Sequence, residues 1–137
     1  MKTYELGLED LDSLIEDIVN SFTSGVVILR GDLAAGKTTF VKAMVKKLGS
    51  SEEVTSPTFS LQQCYGDKIF HYDMYNHGLE HFISLGMLEE LDKEGLHFVE
   101  WGDDELKKIL DSADMKNITI DIKKITNELR EYKVDNA

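Results

Sequence analysis

Residues 31–38 read Gly31, Asp32, Leu33, Ala34, Ala35, Gly36, Lys37, Thr38 and fit G-x-x-x-x-G-K-[ST]. This octet constrains the fold more than any other feature of the chain, because its chemistry works only at a strand-to-helix turn. There, successive backbone N–H groups and a helix N-terminus converge on an anion. Both flanks have the required character. VVILR, residues 26–30, is a short β-branched apolar run of the kind found in a strand buried on both faces of a parallel sheet. On the other side Phe40, Val41, Met44, Val45 and Leu48 recur at helical spacing, and Gly49 stops that helix. In such a loop Lys37 reaches the β and γ phosphates of a nucleotide, and the Thr38 hydroxyl ligates Mg²⁺.

The rest of the chain alternates in the same way. Leu8, Leu11, Leu14, Ile15, Ile18, Val19 and Phe22 mark an amphipathic helix ended by Ser24 and Gly25, with Glu9, Asp10 and Asp12 at its positive end. Residues 58–75 contain two strand-like runs around Gly66 and Asp67, as in a hairpin. Short helical pieces broken at Gly86 fill 79–92. The apolar strand LHFVEW (96–101) and a helix from Asp103 follow, and alternating runs at 118–122 and 128–134 pair as a terminal hairpin. The expected fold is therefore an α/β layer sandwich with a mainly parallel central sheet and antiparallel hairpin additions. At 137 residues it is expected to be one domain, 1–137.

Composition narrows the function. Fifteen Lys plus Arg against 26 Asp plus Glu leave a formal charge of −11, which repels a phosphate backbone and makes nucleic acid an improbable direct partner. The segment MKTYELGLEDLD has no apolar core of an export signal, and no run of eighteen apolar residues occurs, so a cytoplasmic location is expected. The single cysteine, Cys64, reads as a buried or half-buried apolar residue. His71, His77, His81 and His97 lack the spacing of zinc ligands and read as packing or surface residues, and Tyr72 and Tyr75 read as hairpin packing, not as stacking platforms for RNA.

A phosphate loop needs a carboxylate at the end of a neighbouring strand, to hold the water shell of the metal or to polarise an attacking water. Glu100, after Leu96 to Val99, and Asp73, after Ile69 to Tyr72, both meet that description, and their roles stay open. The absence of N-K-x-D favours ATP over GTP. Only Arg30 and Arg130 are present, and neither falls in a loop expected to reach a γ phosphate. A small-molecule kinase, which clamps anionic substrates with arginines, is thereby disfavoured against a slow ATPase completed by a partner. A nonhydrolytic ATP-sensing module is the other alternative.

Five landmarks in order resemble the TsaE (YjeE) family, P-loop ATPases of tRNA threonylcarbamoyladenosine biosynthesis: GDLAAGKTTF at 31–40, TSPTF at 55–59, HYDMY at 71–75, ISLGMLEEL at 83–91 and VEW at 99–101. The resemblance implies a P-loop NTPase-like three-layer sandwich and a weak ATPase that supports the modification of tRNA position 37. TsaB and TsaD are the implied partners, with tRNA reached only through them. It implies that Asp32, Leu33, Ala34, Ala35, Gly36, Lys37, Thr38, Thr39 and Trp101 contact ATP, and that Lys37, Asp73 and Glu100 are catalytic. Thr38, Asp73 and Glu100 would serve Mg²⁺, with Ser56 and Thr58 in a switch-like loop. Two positions depart from the family pattern: Ala34 stands where the loop normally has glycine, and Asn76 where D-x-Y-R has arginine.

Overall fold

The computed structural model describes residues 2–32, 36–49, 62–66, 68–75 and 78–135. The elements run β1 (Lys2–Gly7), a 3₁₀ turn (Leu8–Asp10), α1 (Leu11–Ser21), β2 (Gly25–Arg30), α2 (Lys37–Lys47), β3 (Gln62–Cys64) and β4 (Ile69–Asp73). They continue with α3 (Leu79–Ser84), α4 (Met87–Leu91), β5 (Leu96–Glu100), α5 (Asp104–Ser112), β6 (Asn117–Lys124) and β7 (Leu129–Asp135). Among the described residues one seven-stranded sheet has the order β1-β7-β6-β2-β5-β4-β3. Its centre, β6-β2-β5-β4, is parallel, and β1, β7 and β3 are added antiparallel.

The side-chain period of two divides each central strand between two cores. Val27 and Leu29 of β2, with Phe98 of β5 and Ile120 of β6, face Leu14 and Ile15 of α1 and Phe40, Val41 and Met44 of α2. Val26, Ile28 and Val99 face the opposite way, against Phe82 of α3, Leu91 of α4, and Leu106 and Leu110 of α5. Helices thus cover both faces, which is why β2 carries four consecutive buried residues with no polar one among them. In α1, Leu11, Leu14, Ile15 and Ile18 supply the buried stripe at steps of three and four, and each is worth about 1.5–3 kcal/mol of burial. The Asp103 carboxylate caps α5 by accepting from the Leu106 amide at 2.9 Å.

Two features differ from the reading above. β1 carries no strong apolar alternation and stays half exposed, because it is the outer strand beyond β7; only Tyr4 and Leu6 pack on the core. Cys64 is exposed, not buried, because β3 is a three-residue strand that, among the described residues, stands at the edge of the sheet beside β4.

Parallel strands β4 and β5 are knitted at their start by Gly95, whose φ of +134° is in the region that favours glycine. A Cβ there would lie 2.3 Å from the Lys68 carbonyl oxygen, the atom that accepts from the Leu96 amide at 2.9 Å. Farther along, His97 is fully buried: its Nε2 donates to the Lys93 carbonyl at 2.7 Å, and its Nδ1 faces the Tyr72 hydroxyl at 2.7 Å. Gln62 Nε2 donates to that same Tyr72 oxygen at 3.2 Å, so the phenolic proton is directed at Nδ1 and the imidazole is neutral. Burial lowers the His97 pKa, outweighing the Lys93 carbonyl, which raises it.

Gly95→Ala should cost about 2–4 kcal/mol through strain and backbone collision, read as a lower urea midpoint at unchanged slope. An unchanged midpoint would contradict the close approach. For His97 the folded pKa lies below the unfolded value of about 6.5, so the unfolded chain takes up the proton first as pH falls. The stabilisation is complete above about pH 6.5 and declines below it. The stability of His97→Gln should therefore fall less steeply than that of the wild type between about pH 7 and 5. Equal slopes would remove His97 from the account.

Candidate functional site

The carboxyl ends of β2, β5 and β4 lie side by side, and the loop from β2 to α2 starts at the same edge. Register and parity do the rest. Asp73 is paired with Glu100 across β4 and β5, and Leu29 with Glu100 across β2 and β5. Ile69 and Phe98 face α1 and α2, so His71, Asp73 and Glu100, an even number of residues further along, point to that same face.

Within the loop, Gly36 has φ +111° and opens directly into α2. Lys37 begins the helix with its side chain almost fully buried. Its ammonium donates to the Gly31 carbonyl at 2.7 Å and the Asp32 carbonyl at 2.9 Å, and sits 3.9 Å from the centroid of the Trp101 ring. Burial lowers its pKa, while Glu100, Asp73 and Asp32 pull the other way and favour the charged form. The lysine is thus bound back onto its own loop by neutral acceptors and an aromatic face, contacts that a phosphate group can replace.

Thr38, next on the helix, donates its hydroxyl toward both oxygens of Glu100, at 3.2 and 3.1 Å. Glu100 is buried, and its Oε2 also accepts from His71 Nε2. Asp73, also buried, accepts from the Tyr75 amide at 2.8 Å. Among the described residues no three His, Cys, Asp or Glu side chains converge as a metal cage. The donor set of one hydroxyl and nearby carboxylates instead fits Mg²⁺, which keeps several waters and takes other ligands from phosphate.

Trp101 has φ +67°, a conformation that costs a bulky residue on the order of 1–3 kcal/mol. The bend that imposes it is held on both sides: the Trp101 amide donates to the Leu29 carbonyl at 3.0 Å, and a Cβ on Gly102 would meet Ile28 at 2.8 Å. The strain lays the indole over Lys37, with the half-exposed Tyr75 ring 4.8 Å away. Clefts flank the loop. One, of about 740 Å³, is lined by Gly36, Thr39, Thr126, Leu129, Arg130 and Tyr132. The other, of about 810 Å³, is bordered by Arg30, Asp32, Trp101, Asp104, Lys123 and Lys124.

Of the residues expected at the site, Lys37, Thr38, Glu100, Asp73 and Trp101 cluster at one edge of the sheet. Gly36 and Thr39 line the first cleft and Asp32 the second. Leu33, Ala34, Ala35, Ser56, Thr58 and Asn76 lie outside the described residues. Two others belong beside the cluster. His71, read from sequence as packing, bonds the carboxylate of Glu100; its place two residues before Asp73 on the same strand face was the available signal. Arg130 lies in the terminal hairpin, as the sequence predicts. Because β7 runs back from the carboxyl end of β6, Arg130 enters at the loop edge, its Nε 4.0 Å from where a Gly36 Cβ would stand. Arg130 Nη1 donates to the Thr126 carbonyl at 2.8 Å. Arg30 is tied down, its Nε on the Gly102 carbonyl at 3.1 Å and Nη1 on Asp104 at 2.9 Å.

Comparison with known proteins agrees with this geometry. A family profile described as Threonylcarbamoyl adenosine biosynthesis protein TsaE matches residues 7–132. A Treponema pallidum protein named tRNA threonylcarbamoyladenosine biosynthesis protein TsaE is 37% identical over 112 residues, which is 80% of this chain and 80% of that one. Proteins of the same name from Rickettsia typhi and Bacillus subtilis are each 40% identical, over 57% and 56% of this chain. Those matches span 57% and 49% of the respective relatives. Among solved structures, that of Bacillus subtilis YdiB superposes with a TM-score of 0.68 at 25% identity, over 99% of this chain and 87% of the other. With the phosphate-loop motif between β2 and α2, a parallel centre to the sheet and a family match across nearly its whole length, the chain has the P-loop NTPase fold and belongs to the TsaE family of tRNA threonylcarbamoyladenosine biosynthesis.

Proposed function

We propose that the chain acts as one unit that binds Mg-ATP and hydrolyses it slowly, resetting the assembly that modifies tRNA at position 37. The observation that carries this reading is the contact of the Thr38 hydroxyl with the buried Glu100 carboxylate, one residue from the Lys37 ammonium. A nucleotide-handling lysine, a hydroxyl suited to a cation and a carboxylate suited to a water are thereby within one turn of helix and one strand end.

In this reading Lys37 leaves the Gly31 and Asp32 carbonyls for the β and γ phosphates, and the amides at the start of α2 add their partial positive charge. Thr38 would hold Mg²⁺, with Asp73 and Glu100 beside its water shell; when bound, the ion neutralises charge that builds up between the β and γ phosphates. The other oxygen work belongs to Glu100, which polarises a water for attack on the γ phosphorus as the bond to the β-phosphate oxygen breaks, releasing ADP and phosphate. Thr39 and Gly36 border the cleft on the Arg130 side, which supplies room for the nucleoside, so the phosphates run from there toward Glu100.

Slow turnover alone follows from the arginines. Arg30 is held by Gly102 and Asp104, and Arg130 by the Thr126 carbonyl, so neither guanidinium is poised as a finger, a device worth about 10³–10⁵ in rate. TsaB and TsaD are the proposed partners. The acidic surface favours reaching tRNA through them and not directly.

Phosphate release should be slow for the purified chain and rise when TsaB and TsaD are added at constant tRNA. Lys37→Ala should abolish productive ATP binding, while Glu100→Gln should bind Mg-ATP and lose about 10²-fold or more in rate. Fast hydrolysis by the lone chain that ignores the partners would favour an autonomous kinase-like enzyme. ATP-dependent partner binding with no hydrolysis in any mixture would favour a sensing module. Retained hydrolysis in Lys37→Ala would remove the phosphate-loop assignment.

A further inference from the structure

His71 is a fully buried polar side chain that stands behind the group formed by Lys37, Thr38 and Glu100. Its surroundings are specific. Nε2 faces Glu100 Oε2, and because an ionised carboxylate only accepts, this nitrogen carries the proton of the bond. Nδ1 lies 3.3 Å from the hydroxyl of the buried Tyr65, which itself donates to Gln63 Oε1 at 2.9 Å. The imidazole is therefore held by Glu100 at Nε2, with the Tyr65 hydroxyl packed against Nδ1. A chain of polar contacts runs from the β3–β4 hairpin, through Tyr65 and His71, to Glu100 and the start of α2.

The distances to Thr38 show what this chain of contacts adds. Thr38 Oγ1 is 3.2 Å from one Glu100 oxygen and 3.1 Å from the other, so it does not discriminate between them. His71 does, because it bonds Oε2 alone. With Oε2 engaged, rotation of the carboxylate is restricted and Oε1 is the oxygen left with lone pairs for a water at the phosphate loop. The parity of β4 makes the arrangement possible, since His71 shares a sheet face with Asp73 and stands beside the strand that ends in Glu100.

We propose that His71 is a positioning residue that fixes the plane of the Glu100 carboxylate and reserves one of its oxygens for the reacting water. The proposal rests on the hydrolysis reading above, in which Glu100 acts on that water. It assigns His71 an effect on turnover and little effect on nucleotide affinity.

The test compares His71→Gln with His71→Asn in the full chain, assayed with TsaB, TsaD and tRNA. Both variants replace the ring with an amide, but the amide nitrogen of Gln falls near the position of Nε2 and that of Asn near Nδ1, so only Gln reaches Glu100. His71→Asn should lose about 10- to 100-fold in kcat, as second-layer partners of such sites do, with KM for ATP and Mg-ATP affinity nearly unchanged. His71→Gln should retain most of the wild-type kcat. Equal losses in both variants, or no loss in either, overturn the proposal. A measurement that needs no variant is the wild-type imidazole signal in nuclear magnetic resonance: a slowly exchanging proton on His71 Nε2. Its absence from the wild type also overturns the proposal. If Glu100→Gln hydrolyses as fast as the wild type, the hydrolysis reading itself fails, which these two results identify separately.

Discussion

The pairing of β5 between β2 and β4 is the constraint on which the rest of this structure depends. Because all three strands are parallel, their carboxyl ends share one edge, and whatever follows β2 opens beside whatever ends β5 and β4. The phosphate-loop motif follows β2, and carboxylates end the other two strands. The period of two then selects the face: Ile69 and Phe98 pack against α1 and α2, so Asp73 and Glu100 lie on the side where Lys37 and Thr38 begin their helix. Helices on both faces make this possible, since they bury the central strands and allow only their ends to carry charge.

Charge at that edge is handled by partners and not by solvent. Burying an isolated carboxylate is strongly unfavourable, and Glu100 has a hydroxyl and an imidazole to offset the loss of water. Lys37 has two carbonyls, a ring face and three nearby acids. Among the described residues no carboxylate contacts the ammonium directly, so an incoming phosphate would replace neutral acceptors there and not an ion pair. The left-handed Trp101 belongs to the same design. Its backbone strain is retained by the Leu29 carbonyl and the close packing of Gly102, and it places an apolar wall over the lysine that keeps bulk water from its charge.

Much of this was legible in the sequence because the governing periods are short. The octet at 31–38, the uninterrupted apolar run of β2 and the helical spacing of α2 each identify themselves within a dozen residues, and so do Glu100 and Asp73 as strand-end acids. What was not legible depends on strand order. Cys64 looks apolar until β3 is known to be an edge, and β1 is invisible to periodicity because its partner, β7, lies at the far end of the sequence, Gly7 pairing with Leu129, and one of its faces stays wet. Arg130 reaches the loop only because β6 pairs with β2 and β7 turns back from its end, a neighbour relation that no local pattern encodes. His71 is an intermediate case: its strand and face were readable, but its bond to Glu100 required knowing that β4 lies beside β5.

In the proposed function the Lys37 ammonium exchanges its loop carbonyls and the Trp101 face for the phosphates of a nucleotide. Trp101 is the single tryptophan of the chain, and its ring lies 3.9 Å from that ammonium, so its emission reports the event without a label. The decisive measurement is a Mg-ATP titration of the purified protein followed by Trp101 fluorescence, with calorimetry on the same samples to count bound nucleotide. The account predicts a saturable change at one nucleotide per chain that is lost in Lys37→Ala. No binding at millimolar Mg-ATP, or stoichiometric binding that leaves the emission unchanged, would contradict it.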